Sequence, residues 1–406
     1  MTSPLSAVVS GLHFSEDRSD SIGQIEAGDW PDLLRLTDQA QLTLPLAIRH
    51  SDCLPPAVQT RLNRNLARNA ERALRIRREY SAIERELERR GVEFIVLKGM
   101  THWPLYCDDL AHRPQFDLDL YCPEPSMNLA AEAFRAMSYE PARPARGSAT
   151  DHLPPFIRKT GWRWQGDYYD PEMPLTVELH FRFWNPAREA FAVAGADGFV
   201  QRRIRRVIGG CEIPALDPGD DLAYTTWHLV RHLLHGNLRL YHVYELAHFL
   251  HRTAYANSFW KDWQTAATGP RVAEPIAFRL ACDWFGCRVH PVAREEIERL
   301  PKEVDRWFRL FTFSPVLAME RPNKDELFLH LTLAQKATDR FRIAARKLVP
   351  LNPPRVLVDA HVRERGIGLR IRSLASEASF LARRTLRHIH LWVPILRSAF
   401  RWRRAS

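Results

Sequence analysis

Two aspartates, Asp117 and Asp119, stand at i and i+2 in the segment FDLDLYC. Phe116, Leu118 and Leu120 alternate with Asp117, Asp119 and Tyr121, the period of a half-buried strand. Side chains two apart on a strand leave from the same face, so these carboxylates can share one or two hard cations through oxygen ligands. A third carboxylate, Glu178, lies mid-strand in LTVELHFRFW, where Val177, Leu179 and Phe181 oppose Glu178, His180 and Arg182. Metal-assisted phosphoryl or nucleotidyl transfer needs this geometry. The cations hold a triphosphate, lower the attacking group's pKa and neutralise the leaving pyrophosphate. Mg²⁺ or Mn²⁺ is the expected ion, bound by Asp117, Asp119 and Glu178. A lone Asp-x-Asp also recurs on solvated strand edges, so its surroundings must carry the argument.

Those surroundings contain further candidates. Lys98-Gly99 closes the apolar run VEFIVLKG. A lysine there can meet a triphosphate as a point charge, or simply reach water from a strand end. Arg113 can fork onto a phosphate or hold the loop that leads to Asp117. His180 shares the face of Glu178 and can touch a nucleotide or line the cleft wall. His228, His232 and His235 follow at i, i+4 and i+7 of an expected helix, with His242, Glu245, His248 and His251 on the next. A helical His-x-x-x-His can bind zinc, but no glutamate follows the first histidine, so the zinc-protease motif is absent. A polar face turned to the cleft is the better expectation, with Arg239 and Glu245 as acceptor contacts. Tryptophans 162, 164, 184 and 227 are expected in the core rather than under a base.

The run FIVLKGMTHWPLYCDDLAHRPQFDLDLYCPEPSMNLAAEAFRAMSYEP resembles the uncharacterised nucleotidyltransferase family of bacteria. The shared pattern is a strand ending in Leu-Lys-Gly, a tyrosine-bearing helix, an Arg-Pro loop, an Asp-x-Asp strand and a helix closing near a Gly-Tyr-like turn, here Ser138-Tyr139. LTVELHFRFW and the histidine-rich helices after it are similar to later parts of that family, and the likeness spans roughly residues 30–350. It implies a polymerase-β-like nucleotidyltransferase fold, a small mixed sheet with helices on one face. It also implies metal-binding Asp117 and Asp119, a third acid at Glu178, and nucleotide contacts at Lys98, Gly99, Arg113 and His180. Where most of that superfamily carries Gly-Ser or Gly-Gly to cradle phosphates, this chain has Gly99-Met100, whose backbone N–H groups remain.

The expected fold class is therefore α+β: a small mixed-sheet core flanked by N-terminal helices and a C-terminal helical domain. The pattern divides into a disordered N-terminus (1–25), a helical segment (26–90), a catalytic core (91–216), a helical domain (217–350) and a basic helical tail (351–406). Residues 56–90 are rich in Arg, Glu, Leu and Ala, and their Arg–Glu pairs are expected on a solvated face. The stretch TGWRWQGDYYD reads as hairpin-like, RRVIGGCEIPAL as a hairpin on a Gly-Gly turn, and Asp217-Pro218 as a helix start.

The net charge of +10 is uneven. Residues 361–406 hold eleven arginines against two glutamates, a surplus of nine that leaves residues 1–360 with about one positive charge. That tail could meet RNA or an anionic membrane, with Pro394 expected to kink it. No DNA-binding motif stands out. Six cysteines without a Cys-x-x-Cys pair, and no long apolar run, point to a cytoplasmic protein with reduced thiols. Three functions fit: a metal-dependent enzyme moving a nucleoside monophosphate from an NTP to an acceptor, an inactive binding or scaffold protein of the same fold, and an RNA-directed transferase of toxin type.

Overall fold

The two acidic segments fold as adjacent strands of one sheet. The computed structural model describes residues 3–142, 151–266, 269–348 and 390–405, with His361 and scattered positions between 375 and 385. Among them seven strands occur: β1 (Ile95–Leu97), β2 (Asp117–Tyr121), β3 (Tyr139–Pro141), β4 (Phe156–Arg158), β5 (Thr176–His180), β6 (Ile204–Ile208) and β7 (Cys211–Ala215). Their order is β3-β4-β5-β2-β1-β7-β6, and the sheet is mixed. β2 and β5 run parallel with Asp119 opposite Glu178 and Tyr121 opposite His180. β1 pairs antiparallel with β2, placing Leu97 opposite Asp119. Gly209 and Gly210 turn β6 into β7 with φ of 57° and 83°, the left-handed pair that a two-residue hairpin demands.

The period-two pattern gives the sheet two unlike faces, and both are covered, whereas the resemblance implied helices on one. Leu118, Leu120, Val177 and Leu179 pack on the long helix α5 (Pro56–Arg89) and on α6 (Met127–Ala136), meeting Ile76, Tyr80, Ile83, Leu87 and Phe134. Each such buried aliphatic side chain contributes roughly 1.5–3 kcal/mol. Ile95, Leu97 and Tyr121 point the other way, into a second core with α8 (Pro218–His235), α9 (Leu240–Thr253) and α11 (Ala273–Phe285). Register partners share a face, so Asp119 and Glu178 also look toward α8 and α9. Asp217 caps α8 as its sequence foretells, its Oδ1 accepting from Gly219 N at 3.0 Å.

Several expectations are corrected. The N-terminus is not a loose polar segment: α1 (Pro4–Gly11) and α2 (Ser19–Gly23) bury Leu5, Val8, Val9 and Ile22. With α3 (Trp30–Ala40) and α4 (Thr43–His50) they join the same core as α8, α9 and α11. The short apolar run there is too brief to signal itself, yet it has a ready-made groove to fill. Residues 160–170 form no strand. Gly161 and Gly166 both take left-handed φ, and Trp162 and Trp164 pack edge-on instead. Of the 351–406 tail, most of 351–389 lies outside the described residues. Pro394 sits in the first turn of the helix Trp392–Arg404, where its missing N–H costs nothing and no kink arises.

Candidate functional site

Between the acidic face of the sheet and helices α8 and α9 lies a cleft of about 430 Å³, lined by Lys98, Gly99, Asp117, Asp119, Glu178 and His180 among others. At its floor Asp119 is nearly buried. Lys98 Nζ lies 2.8 Å from its Oδ2, and His180 Nε2 lies 3.1 Å from its Oδ1 and 3.6 Å from Glu178 Oε2. Ligand atoms of Asp119, Glu178 and His180 all fall within 4.8 Å of one another. Burial alone would raise the Asp119 carboxyl, but Lys98 and His180 hold it far below the ordinary range. Burial likewise opposes a charged His180, yet its bonds to Asp119 and Glu178 push it up to about 9. Glu178 is held low despite burial, chiefly through His180.

Asp117 stands apart from this network. Among the described residues its carboxylate has neither a hydrogen bond nor an ion pair, though it lines the cleft. Burial, with the Asp119 charge beside it, pushes its pKa up to about 6. A half-buried carboxyl with no bonded partner is favoured by a cation placed beside it.

The turn before the acidic strand is tightly fixed. Lys98 adopts φ 56°, ψ −153°, a region that glycine favours, and costs roughly 1–3 kcal/mol there. That backbone aims the ammonium back at Asp119 and, on its other side, at His228 Nε2, 2.9 Å away. Gly99 has φ 62°, and a Cβ on it would come 2.6 Å from Gln115 Nε2. Gln115 in turn donates to the Asp117 carbonyl at 2.9 Å. The glycine therefore lets the turn close on the loop that delivers the acidic strand.

Arg113 is spent on structure. Its Nε lies 2.5 Å from Glu245 Oε1, and His102 Nδ1 lies 2.9 Å from the same oxygen, all three groups buried. Burial opposes ionisation of Glu245, but Arg113 and His102 hold its carboxyl well below the ordinary range. Arg113 and Glu245 both line the cleft, and there each is bonded to the other. The inward face of α5, read as a run of solvated Arg–Glu pairs, carries Asn69 and Arg72 at this level. Asn69 Nδ2 donates to the carbonyls of Ala111 and Arg113, at 2.5 and 3.1 Å, and Arg72 Nε to that of Gln115 at 2.9 Å. Together they pin the loop 111–115.

The opposite wall is the polar face of α8. His228, Arg231, His232 and His235 line the cleft, joined by His242 and Arg239 at the start of α9. Burial pushes His228 and His232 far below the usual imidazole range, so both are neutral. Arg231 pairs with Asp151, and Arg188 lies 3.8 Å from the buried Glu189. Arg239 is exposed, with its guanidinium 5.8 Å from the Phe116 ring centroid. Among the described residues it makes no hydrogen bond or ion pair. Arg188, Arg231, Asp151 and His152 were missed in the sequence. For Arg231 the signal was there, since it falls at i+3 from His228 on the same helical face. Of the four tryptophans expected in the core, Trp184 and Trp227 are there, whereas Trp162 and Trp164 are only half-buried.

A mixed sheet with a helical layer closing over paired acidic strands defines an α+β protein with one charged interlayer cleft. Residues 26–286 match the family described as uncharacterised nucleotidyltransferase, and the chain belongs to that family. No curated protein and no solved structure matches it.

Proposed function

We propose that this protein transfers a nucleotidyl group from an NTP to an acceptor hydroxyl, with a divalent cation, Mg²⁺ or Mn²⁺, held by Asp117, Asp119 and Glu178. The observation that carries this reading is a pair of opposite charges lining one cleft, Asp117 and Arg239, whose charged groups make no hydrogen bond or ion pair among the described residues. The first suits a cation and the second an anion, and a metal–triphosphate is both. The carboxylate oxygens of Asp119 and Glu178, gathered with a His180 nitrogen, fit a divalent ion, and Asp117, outside that cluster but lining the same cleft, would have its carboxyl relieved by one. When bound, such an ion neutralises triphosphate charge and makes the attacking hydroxyl more acidic.

The chain's own residues supply the rest. Lys98 orients Asp119 and, together with His180, balances its charge. Arg239 donates fork-like hydrogen bonds to phosphate oxygens, in a cleft that Arg231 and Arg188 also line. Lys98, Arg113 and His180 thereby serve the carboxylates and the loop rather than the phosphates. The acceptor oxygen bonds to the α-phosphorus, the bridge to the β-phosphate breaks, and pyrophosphate leaves. Glu178, with 26% of its side chain exposed against 6% for Asp119, is the carboxylate open to the acceptor's proton.

Incubation with labelled NTPs, Mg²⁺ or Mn²⁺ and cell extract tests the reading. Label should pass to an acceptor, and an Asp117→Asn, Asp119→Asn double variant should pass none. Equal labelling by that variant contradicts it. One observation favours a second reading, an inactive binding protein: Asp119 is already neutralised by Lys98 and His180. That reading expects no thermal stabilisation by any NTP with metal.

A further inference from the structure

Among the described residues, the helix Trp392–Arg404 docks on the body along one side. Ile395 and Ser398 are buried, Trp402 stacks 5.6 Å from Phe328, and Arg401 donates to the Leu310 carbonyl at 3.0 Å. Trp392, Val393, Leu396 and Phe400 occupy a different sector, about 100° wide at helical spacing. All four are exposed, by 42%, 55%, 63% and 58%. A helix that has already buried its docking side gains nothing in folding from a second apolar stripe. Arg397 and Arg404 lie along one edge of that stripe, and Arg403 falls within it at the C-terminal end, where its long side chain can reach outward to the headgroups. After Glu377 the chain has seven arginines and neither Asp nor Glu.

We infer that this helix lies in the headgroup layer of an anionic lipid bilayer, its stripe inserted between acyl chains and its arginines on lipid phosphates. Arginine alone would suit RNA equally. Val393 and Leu396 tip the balance, because aliphatic side chains offer no stacking surface to bases but insert readily into lipid. Among the described residues no helix is long and apolar enough to cross a membrane, so the contact is with the surface.

Sedimentation of the full chain with vesicles tests this. Vesicles of phosphatidylcholine containing phosphatidylglycerol should retain the protein, pure phosphatidylcholine should not, and high salt should release it. The Leu396→Glu, Phe400→Glu double variant should lose about tenfold or more in retention, and Arg397→Glu, Arg404→Glu should do likewise. Neither should change the melting temperature, because these side chains face outward. Retention untouched by both double variants overturns the inference. So does absence of vesicle binding alongside RNA binding that ignores the Leu396→Glu, Phe400→Glu change.

Discussion

Asp119 stands opposite Glu178 on the neighbouring parallel strand, and His180 Nε2 lies within 3.6 Å of a carboxylate oxygen of each. Parallel register, rather than closeness in sequence, sets this meeting. Replacing Asp119 by Asn keeps the shape and removes the charge. We expect nucleotidyl transfer to fall by about two to four orders of magnitude, the range in which a metal's charge stabilisation is lost. Initial rates with saturating Mg²⁺ and NTP check this, and a rate within tenfold of wild type counts against it.

Arg239→Ala should act on substrate binding. A charge-assisted bond to phosphate is worth about 1.5–3 kcal/mol, or roughly 10–100-fold. KM for NTP is expected to rise by that factor with a smaller change in kcat, and Arg239→Lys to fall between. An unchanged KM would show that phosphate is received elsewhere.

At position 98 the backbone and the amine can be separated. Lys98→Ala removes the ammonium and keeps the strained φ; Lys98→Gly removes both. The glycine variant should be more stable than the alanine variant by about 1–2 kcal/mol, while both lose activity. Denaturant midpoints at constant slope measure the difference, and equal midpoints would mean the turn carries no strain.

The Arg113–Glu245 pair predicts a pH dependence. The folded pKa of Glu245 lies below its unfolded value of about 4.3. Its contribution to stability is therefore complete above that value and drains away as pH falls toward the folded pKa. Glu245→Gln should lower stability at pH 7 by about 3–5 kcal/mol, because it strands a buried guanidinium, and should flatten the loss of stability below pH 5. Urea melts from pH 7 to pH 3 decide, and a variant whose melts parallel the wild type at every pH would remove the pair from this role.

The acidic strands could be read in the sequence because Asp117, Asp119 and Glu178 interrupt clean period-two patterns. The helical layer after Asp217 was legible for the same kind of reason, through its cap and its 3.6-residue period. What could not be read was pairing at a distance. Nothing local tells that Arg113 will pair with Glu245, or that Lys98 will lie between Asp119 and His228. Strands β3 and β4, three residues each, are too short for periodicity to register. Helix α1 is apolar enough to pack but too brief to stand out. Arg239 can be picked out in the sequence, but that its guanidinium makes no hydrogen bond or ion pair among the described residues is visible only in the assembled cleft.

Soaking a crystal of the full chain with Mn²⁺ and a non-hydrolysable NTP locates the metal and the triphosphate together. An anomalous peak is expected within coordination distance of Asp117, Asp119 and Glu178, with the triphosphate running toward Arg239. Manganese bound away from those carboxylates, or a nucleotide seated outside this cleft, contradicts the proposed function.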